Sequence, residues 1–242
     1  MPASKAKSKL NRACLVVFSG GQDSTTCLHW ALQTFSSVEG IFFDYGQRHK
    51  SEVLAAQAIA LKVKIPLRLF RLDFFRELKG NSLTDHSMAI SPSGGTQGGL
   101  PNTFVPGRNL LFLTQAASYA YMQGIKDVVT GVCQTDYSGY PDCRIDTIQA
   151  LQKALHLGLG WPERHGTLRL HTPLMFKTKA ESIRLAQKWG AMESLAYSHT
   201  CYEGSVPPCG NCPACLLRAK GFAEAGVIDP LVARMGENHG KV

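Results

Sequence analysis

The segment SGGQDSTT, residues 19–26, has the residue types of a phosphate-binding loop. It follows a short apolar run, Cys14 to Phe18, and precedes a helical segment that is expected to begin near Thr25. Its glycines permit positive φ angles and a close approach to a ligand, and its serines add hydroxyl donors beside the N–H groups of a helix start. The loop lacks the Gly-Lys-Ser/Thr ending of a Walker loop. The sequence therefore predicts an anion site, with an ordinary glycine-rich turn as the alternative.

Four of the eight cysteines are close together near the C-terminal end, at Cys201, Cys209, Cys212 and Cys215. Four thiolates can fill a tetrahedral zinc shell, and such closed sites are normally structural. An iron–sulfur cluster would use the same four ligands, and buried cysteines without a ligand are the third interpretation. Gly210 and Pro213 are expected to form tight turns, and the residues from Leu216 onward are expected to continue as a helix.

Two further segments place charged or polar residues next to an expected strand end or helix start. In FDYGQRH, Asp44 could bind Mg²⁺ or a ribose hydroxyl, and Arg48 could neutralise a phosphate or a carboxylate. A turn with exposed charges is the alternative for this segment. Before a later apolar helix, Arg108 is placed to contact an anion, whereas Asn109 could be no more than an N-cap.

The loop from Gly131 to Arg144 collects polar residues with little apolar content. The carboxylates of Asp136 and Asp142 can accept hydrogen bonds from the N–H groups of a purine-like base, and the rings of Tyr137 and Tyr140 can stack on it. This composition predicts a substrate-binding loop, although aspartate and glycine are common in any turn.

Length and charge limit the classes of protein that are possible. At 242 residues and 44% hydrophobic content, the chain fits one domain, or one domain with a small appendage. The formal net charge is +8, but half of it comes from the basic start, at Lys5, Lys7, Lys9 and Arg12. The remaining charge suits anionic small molecules and falls short of a dedicated nucleic-acid surface. No stretch approaches membrane-spanning length and no signal-peptide pattern is present, so we expect a cytoplasmic protein without a membrane partner.

Apolar, β-rich runs alternate with helical-period segments along the chain. The runs are 14–18, 38–43, 67–72, 127–132 and 168–171, and the helical segments are 51–61, 109–123, 145–157 and 178–189. Thr178 and Glu181 have the spacing of a capping box. The alternation predicts an α/β fold with a parallel sheet covered on both faces and ligands at the carboxyl ends of the strands. The connection from Gly80 to Pro106 is interpreted as a mobile lid, or equally as a disordered insertion.

Six motifs, in the same order, resemble those of the 7-cyano-7-deazaguanine synthase family: FSGGQDSTTCL, FDYGQRH, LPNTFVPGRNLLFL, TGVCQTDYSGYPDCR, HTPLM followed by TKAES, and CGNCPACLLRAKGFAEAG. The resemblance extends from about Ala13 to Pro230. It is far more specific than SGG-x-DS alone, which many ATP pyrophosphatases share. The departures are the longer basic start, extra glycine in the 80–106 connection, and Glu203, where such chains often have asparagine.

The resemblance implies an ATP-dependent carbon–nitrogen ligase that releases AMP. Its reaction would convert 7-carboxy-7-deazaguanine and ammonia to 7-cyano-7-deazaguanine through adenylated intermediates, on the route to queuosine-type tRNA bases. ATP with Mg²⁺ would be held by Phe18, Ser19, Gly20, Gly21, Gln22, Asp23, Ser24, Thr25, Thr26, Cys27, Leu28 and Asp44. Asp23, Ser24 and Arg108 would be catalytic, with Asp23 orienting Mg²⁺ and pyrophosphate. The deazaguanine would be held by Arg48, Arg108, Asn109, Asp136, Tyr137 and Asp142.

The resemblance also implies a doubly wound, mainly parallel five-stranded sheet of the adenine nucleotide alpha hydrolase type. One structural Zn²⁺ per chain would be held by the four C-terminal cysteines. The expected organisation is a disordered tail over 1–12, an ATP-binding domain over 13–195, a zinc-binding helical subdomain over 196–232 and a tail over 233–242. A homodimer follows from the resemblance, and free ammonia is expected because no glutaminase domain fits in this length.

Two alternatives stay open. One is a tRNA-thiolating or amidating enzyme with the same ATP loop, which would use Cys133 or a zinc cysteine as a sulfur carrier. Against it, Cys133 and Cys143 are interpreted as packing residues because no partner base is evident in the sequence. The other is a non-catalytic zinc module that binds RNA through the basic tail, which would leave the loop at Ser19 without a purpose.

Overall fold

A parallel sheet forms the centre of the computed structural model, which describes residues 9–48, 51–85, 87–91, 96–97, 99–135, 139–162 and 166–239. Its strands are β1 Leu10–Val17, β2 Phe35–Asp44, β3 Leu67–Arg71, β6 Asp127–Val129 and β7 Arg169–His171. Their spatial order is β3, β2, β1, β6 and β7, and all neighbours run parallel. A small antiparallel hairpin consists of β4 Thr96–Gln97 and β5 Leu100–Pro101.

The helices alternate with the strands along the chain, as the sequence predicts. Their bounds are α1 Gln22–Thr34, α2 Ser51–Val63, α3 Phe74–Glu77, α4 Arg108–Met122, α5 Ile145–Gly158, α6 Lys179–Lys188, α7 Met192–Leu195, α8 Pro213–Ala225 and α9 Pro230–His239. A 3₁₀ turn occupies Pro141–Cys143. Within the described residues, none of these helices has the length and apolar character needed to cross a membrane.

Both faces of the sheet are buried because its central strand is apolar at consecutive positions. In β1, Cys14 and Val16 pack with residues of α1 and α2, whereas Leu15 packs on the other face with residues of α4 and α5. Alternate residues of a strand point to opposite faces, so a fully buried strand needs this unbroken apolar run. The predicted doubly wound sheet is therefore confirmed. Its strand order reverses direction between β1 and β6, which leaves a crevice at that point.

The first strand begins earlier than expected, because it includes a buried ion pair. Residues 10–12 belong to β1, whereas the sequence places a disordered tail through residue 12. The Arg12 Nε atom lies 2.6 Å from one carboxylate oxygen of Asp127, whose side chain is 0% exposed. His171 Nε2 lies 2.7 Å from the other oxygen. A buried carboxylate needs such partners, so the sheet extends to the residue that supplies one.

The C-terminal region is helical beyond the point where a tail was expected. The expected helix after the cysteines is present as α8, but Pro213 is its first residue rather than part of a turn, since a proline suits that position. The tail predicted from residue 233 is instead part of α9, whose Leu231 is 2% exposed. Arg218 in α8 holds the start of α9 through an ion pair with Asp229, with 2.6 Å between Arg218 Nε and Asp229 Oδ2.

The described part of the 80–106 connection is packed. Asn81 and Thr84 are buried, and Asn81 Nδ2 donates to Thr84 Oγ1 at 2.8 Å. The backbone N–H of Ser82 donates to the carbonyl of Asn102 at 2.7 Å, which joins the two ends of the segment. For these residues the alternative of a disordered insertion is wrong, because their buried polar groups are paired. Movement of the segment as a lid stays a prediction.

Candidate active site and metal site

A cavity of about 720 Å³ opens at the carboxyl ends of β1, β2 and β6. Phe18, Tyr45 and Thr130, which directly follow those three strands, line its wall. Cavities of roughly 300–1,000 Å³ hold small molecules and cofactors. The cavity lies where the strand order reverses, which is the position at which open α/β sheets bind ligands.

The loop between β1 and α1 forms one wall of this cavity. Ser19 Oγ and Ser24 Oγ are 3.1 Å apart, and Ser24 Oγ donates to the carbonyl of Gly21 at 3.1 Å. Helix α1 begins at Gln22, before the expected position, and no side chain caps it at Gly21. The N–H groups of its first turn can therefore bind an anion. The predicted loop residues that line the cavity are Phe18, Ser19, Gly21, Gln22, Asp23 and Ser24.

Two glycines allow neighbouring backbone to pack directly against this loop. Gly20 has a φ of 76°, and a Cβ atom there would lie 2.6 Å from the backbone nitrogen of Ala56 and 3.0 Å from the carbonyl oxygen of Glu52. A Cβ atom at Gly131, after β6, would lie 3.0 Å from the backbone nitrogen of Ser24. The loop is thus held between α2 and the segment after β6, although Gly20 itself does not line the cavity.

A lysine from a distant part of the sequence lies beside the loop. Lys179 Nζ donates to Asp23 Oδ2 at 2.7 Å, and the two side chains are only 10% and 24% exposed. Lys179 is the first residue of α6, and the predicted capping box of Thr178 and Glu181 fixes that helix start. The cation that a Walker loop would supply is therefore provided by another element. Lys179 belongs to the TKAES motif but is not among the site residues predicted from the sequence.

Several predicted ATP contacts do not reach the cavity. Four residues in the first turns of α1 are buried behind the loop: Thr25, Thr26, Cys27 and Leu28. Thr26 Oγ1 donates to the carbonyl of Gln22 at 3.0 Å, and the Cys27 thiol points to the carbonyl of Thr130 at 3.6 Å. Asp44 also lies outside the lining, because its carboxylate accepts the N–H of Gly46 at 3.1 Å. The prediction that these five residues contact ATP disagrees with their positions.

Arg108 brings a partly buried cation to the opposite side of the cavity. Its Nη1 atom donates to the Tyr45 hydroxyl at 3.2 Å, and its guanidinium lies 5.5 Å from the centre of the Tyr45 ring. Burial lowers the pKa of Arg108, but electrostatic interactions with the phenol oxygens of Tyr45, Tyr140 and Tyr202 and with the Asp142 carboxyl group outweigh it and raise the pKa overall. Burial raises the pKa of Tyr45 to about 12, so its phenol stays neutral near pH 7. The site therefore offers one fixed positive charge here.

Asn109 and Asp142 hold the start of α4. Asp142 Oδ2 accepts the backbone N–H of Asn109 at 3.0 Å, and Asn109 Nδ2 lies 3.2 Å from Cys143 Sγ. The N-cap of the helix is Gly107, so Asn109 is not the cap. Asn109 lines the cavity, whereas Asp142 is 4% exposed and lies outside the lining. The predicted contact of Asp142 with the base disagrees with this position. The predicted contacts at Asp136 and Tyr137 lie outside the described residues.

Arg48 lines the cavity and also ties two segments together. Its guanidinium donates to the carbonyls of Asp85, at 3.2 Å, and Met88 in the 80–106 connection. It forms an ion pair with Glu203 in the C-terminal region, with 3.8 Å between Arg48 Nη1 and the carboxylate. Its Nε atom is buried without a hydrogen-bond partner among the described residues. That atom remains able to bind an anionic ligand.

Glu52, in the first turn of α2, places a carboxyl group in the same cavity. Burial raises the pKa of Glu52 to about 7, against the opposing effect of the Arg108 guanidinium. No described residue forms a hydrogen bond or ion pair with this carboxylate. Tyr45, Glu52 and Tyr202 line the cavity but are not among the predicted site residues. The sequence could have indicated them, because Tyr45 lies within FDYGQRH, Glu52 lies three residues after it, and Tyr202 follows Cys201.

The four C-terminal cysteines form a site that fits a metal ion. The Sγ atoms of Cys201, Cys209, Cys212 and Cys215 all lie within 4.8 Å of one another. Cys209 Sγ and Cys215 Sγ are 3.9 Å apart. A tetrahedral shell with Zn–S bonds of about 2.3 Å requires sulfur atoms about 3.8 Å apart. The spacing of the thiols therefore agrees with a metal ion such as zinc.

Hydrogen bonds around the sulfur atoms favour the thiolate form that binds metals. The backbone N–H of Tyr202 donates to Cys212 Sγ at 3.4 Å, that of Cys209 to Cys201 Sγ at 3.4 Å, and that of Cys212 to Cys209 Sγ at 3.3 Å. The hydrogen bond from the Cys215 thiol, followed by the N–H groups of Cys215 and Tyr202, lowers the pKa of Cys212 to about 4, whereas the same hydrogen bond raises the pKa of Cys215 and burial raises that of Cys209. Cys212 is thus the member of the cluster whose surroundings favour the thiolate that binds metals.

The segment that begins the cysteine cluster also closes the cavity. His199, Thr200 and Tyr202 line it, and the backbone N–H of His199 donates to the carbonyl of Gly20 at 3.0 Å. Leu216 in α8 is part of the same wall. The cysteine cluster therefore lies beside the loop of residues 19–24, called the phosphate-type loop below. The segment from His199 to Tyr202 contributes to both the cluster and the cavity wall.

These features define an α/β protein with an anion-binding loop at the carboxyl edge of its sheet and a four-cysteine site beside it. Comparison with known families then assigns it more closely. The chain belongs to the family described as "Queuosine biosynthesis protein QueC", which it matches over residues 13–226.

Curated relatives share most of the chain. A protein of Laribacter hongkongensis named 7-cyano-7-deazaguanine synthase is 56% identical over 221 residues, which cover 91% of this chain and 94% of the relative. One of the same name from Chromobacterium violaceum is 57% identical over 222 residues, covering 91% and 93%. The motifs quoted above therefore lie inside a long shared region, and the predicted family is confirmed.

Solved structures with a related fold are more distant. The predicted subunit of a tRNA methyltransferase from Methanocaldococcus jannaschii is 15% identical, with a TM-score of 0.46 over 73% of this chain and 74% of that chain. The NH3-dependent NAD synthetase of Campylobacter jejuni is 13% identical, with a TM-score of 0.44 over 78% and 69%. Likenesses at this level say nothing about the reaction.

Proposed function

We propose that the protein converts 7-carboxy-7-deazaguanine and ammonia to 7-cyano-7-deazaguanine at the expense of ATP, with release of AMP and pyrophosphate. The observation that carries the proposal is the 56–57% identity, over nine-tenths of the chain, to relatives named for that product. The cavity supports it physically, because the loop between β1 and α1 and the partly buried Arg108 line the same space.

The first half of the reaction activates the carboxylate. A carboxylate is a poor electrophile, so an oxygen atom of the substrate attacks the α-phosphorus of ATP, pyrophosphate leaves, and an acyl adenylate forms. In our proposal the serines of the loop and the first-turn N–H groups of α1 hold the departing pyrophosphate. Lys179 adds a positive charge there. Asp23 and Ser24 orient the phosphates, and Mg²⁺, when bound with ATP, neutralises their charge.

The second half produces the nitrile. Ammonia attacks the acyl carbon, the bond to AMP breaks, and an amide forms. The amide oxygen then attacks the α-phosphorus of a second ATP and pyrophosphate leaves, and loss of AMP from that adduct, together with its two N–H protons, leaves the C≡N group. The same loop can serve both adenylations, because each needs only a bound ATP and an oxygen nucleophile in line with its α-phosphorus. Positioning and charge neutralisation supply the catalysis, and no protein nucleophile is needed.

Arg108 is proposed to bind the substrate carboxylate before activation, since it is a partly buried cation that lines the cavity and is held by the Tyr45 hydroxyl. Arg48 and Asn109 line the same space and are proposed as further substrate contacts. The predicted contacts at Asp136 and Tyr137 remain part of the proposal on the resemblance alone.

The metal is proposed to be one zinc ion per chain, held by the four cysteines as a closed structural site. It fixes the segment that carries His199 and Tyr202 against the loop. A homodimer and a cytoplasmic location are proposed from the family resemblance. Free ammonia is the proposed nitrogen source, and nucleic acid is not proposed as a partner.

The experiment is product analysis by mass spectrometry with ATP, Mg²⁺, ammonium and 7-carboxy-7-deazaguanine. We expect AMP and the nitrile, both dependent on the deazaguanine. AMP without nitrile would contradict the second half of the reaction, and no AMP in a zinc-replete sample would contradict the whole proposal. Cys133→Ser separates the sulfur-carrier alternative: we expect it to retain nitrile formation, whereas a thiolating enzyme would lose its activity with that cysteine.

A further inference from the structure

The proposed reaction releases protons at two points. When ammonia attacks the acyl adenylate, the C–N bond forms and the C–O bond to AMP breaks, and the new ammonium-type nitrogen must lose a proton to give the amide. The adduct of the amide oxygen with the second AMP carries two N–H protons: one is lost to give the neutral imidate, and the last must leave as the C–O bond to AMP breaks. Both steps are faster if a base lies within the enclosed site, because water is displaced from it.

The carboxylates near the cavity differ in their availability for this role. Asp23 is held by Lys179 at 2.7 Å, and Asp142 accepts a backbone N–H of α4 and does not line the cavity. Glu52 lines the cavity, and no described residue forms a hydrogen bond or ion pair with it. Among the described residues of the wall, Glu52 is thus the carboxylate that the protein leaves available to a ligand.

The position of Glu52 is fixed relative to the phosphate-type loop. Gly20 packs so closely on α2 that a Cβ atom there would lie 3.0 Å from the Glu52 carbonyl oxygen. The backbone of the first turn of α2, which carries Glu52, therefore packs directly against the loop that would hold the departing pyrophosphate. Arg108, on the other side, is the residue proposed to bind the substrate carboxylate, and its charge acts on Glu52. The carbon atom that changes substituents would lie between these two anchors.

On this geometry, and resting on the proposed function, we propose that Glu52 is the general base for both nitrogen deprotonations. Its carboxylate accepts the proton from nitrogen as each AMP leaves, and returns it to water when the products depart. A pKa of about 7, raised by burial and opposed by Arg108, suits the task, because a base is most effective when its pKa is near the working pH. The other titratable or charged side chains that line the cavity are those of Asp23, Tyr45, Arg48, Arg108, Cys133, Tyr140, Cys143, Lys179, His199, Tyr202, Arg218 and Lys220.

The test compares wild type with Glu52→Gln and Glu52→Asp, in two assays. Exchange of labelled pyrophosphate into ATP, dependent on the deazaguanine and without ammonia, reports the first adenylation alone. We expect E52Q to keep this exchange within a few-fold of wild type, while its kcat for nitrile formation falls about 100-fold or more, the usual contribution of a general base. E52D should recover part of the loss. Glu193→Gln, at an exposed surface position, is the matched control.

The pH profile gives the second readout. Rates are compared at equal concentrations of free ammonia, so that the titration of ammonium does not contribute to the pH dependence of the rate. Wild type should lose activity as the pH falls through about 7, because Glu52 becomes protonated, and E52Q should lack this limb.

Two results would overturn the proposal. One is an unchanged acid limb in E52Q. The other is a raised KM for the deazaguanine or for ammonia with unchanged kcat, which would make Glu52 a binding residue only. Pyrophosphate exchange also separates this proposal from the proposed function. If the wild type shows no exchange, the proposed function itself is wrong. If E52Q shows both exchange and normal nitrile formation, only the role of Glu52 as general base is wrong. Zinc content and the midpoint of unfolding are measured for each variant, so that a loss of activity caused by misfolding is recognised. If E52Q misfolds, the same comparisons are made with E52D.

Discussion

Asp23 and Lys179 form an ion pair between residues that are 156 positions apart in the sequence. The pair joins the phosphate-type loop to α6, and both side chains are mostly buried. Asp23 Oδ1 is buried without a hydrogen-bond partner among the described residues. A buried carboxylate oxygen with no partner is costly, so it favours a ligand or an ion at that point.

The first prediction concerns Asp23. We expect Asp23→Ala to lower AMP formation about 100-fold or more, since loss of one preorganised electrostatic contact commonly has an effect of this size. Zinc content should stay at the wild-type value, because the cysteine cluster does not use this residue. The measurement is AMP release, with metal analysis on the same samples. Asp146→Ala, an exposed aspartate in α5, should behave as wild type, and full activity of D23A would refute the role of Asp23.

Individual contacts were only partly predictable from the sequence. The residue types of the loop predict an anion site. The start of α1 at Gln22 was not predicted, because no side chain caps the helix there. That shift buries Thr25 and Leu28 against the sheet instead of exposing them to ATP. Asp142 was misassigned for a similar reason. Its partner, the N–H of Asn109, is distant in sequence, so only the fold shows that the carboxylate is already used.

The cysteine subdomain acts as a structural element of the cavity. Its four thiols converge within 4.8 Å, and the residues between and before them form part of the cavity wall. The folding of a small metal-binding region depends on its metal. We therefore expect this part of the cavity wall to lose its shape when the metal is removed.

The second prediction therefore concerns metal removal. We expect one zinc ion per chain by elemental analysis, and we expect Cys212→Ser to lose the metal and to expose 196–225 to protease. AMP formation should fall with it, since His199 and Tyr202 lose their support. Limited proteolysis with mass mapping is the measurement. Cys143→Ser, a cysteine outside the cluster, should keep its metal, and a C212S protein with full metal content would disprove this account.

At the level of elements the sequence was more informative. The five apolar runs and the long helices between them are all present. Hydrophobic periodicity over a long segment predicts its type of secondary structure even where single residues depart from the pattern. The short helix α9 was taken for a tail, since it follows a polar region and contributes only a few buried residues such as Leu231. The start of β1 was missed because Asn11 and Arg12 are polar. Their place in the sheet depends on Asp127, which lies on another strand.

On the scale of the whole molecule, the sheet contains a buried charged cluster whose residues do not line the cavity. Asp127 begins β6, and its side chain lies between Arg12 on β1 and His171 on β7. Burial raises the pKa of Asp127, but the hydrogen bond with His171 and the charge of Arg12 outweigh it, so the pKa lies below its usual value. Three strands are joined by this one carboxylate.

The third prediction follows from that pKa. A carboxyl group with a lowered pKa in the folded state stabilises the fold above its unfolded pKa, near 3.9, and this contribution is lost as the pH falls further. We expect Asp127→Asn to lower the free energy of unfolding at pH 7 by about 3–5 kcal/mol, since it leaves Arg12 without its buried partner.

The measurement is urea unfolding of both proteins at a series of pH values. Their difference in unfolding free energy should shrink below about pH 4, where Asp127 binds a proton in the unfolded wild-type chain before it does so in the folded one. Asp73→Asn, an exposed aspartate paired only with surface arginines, should cost roughly 0–1 kcal/mol. A difference between wild type and D127N that stays constant down to pH 2 would contradict the electrostatic explanation.

The wall formed by His199, Tyr202 and α8 also sets an order of events during synthesis. The loop at Ser19 leaves the ribosome 180 residues ahead of His199, the first residue of the segment that covers it. At roughly 5–20 residues per second, the unfinished site is exposed to solvent for about ten seconds or longer. A nascent chain that stops before Cys215 therefore presents an open crevice lined by apolar strand ends, which is a surface for chaperones to cover.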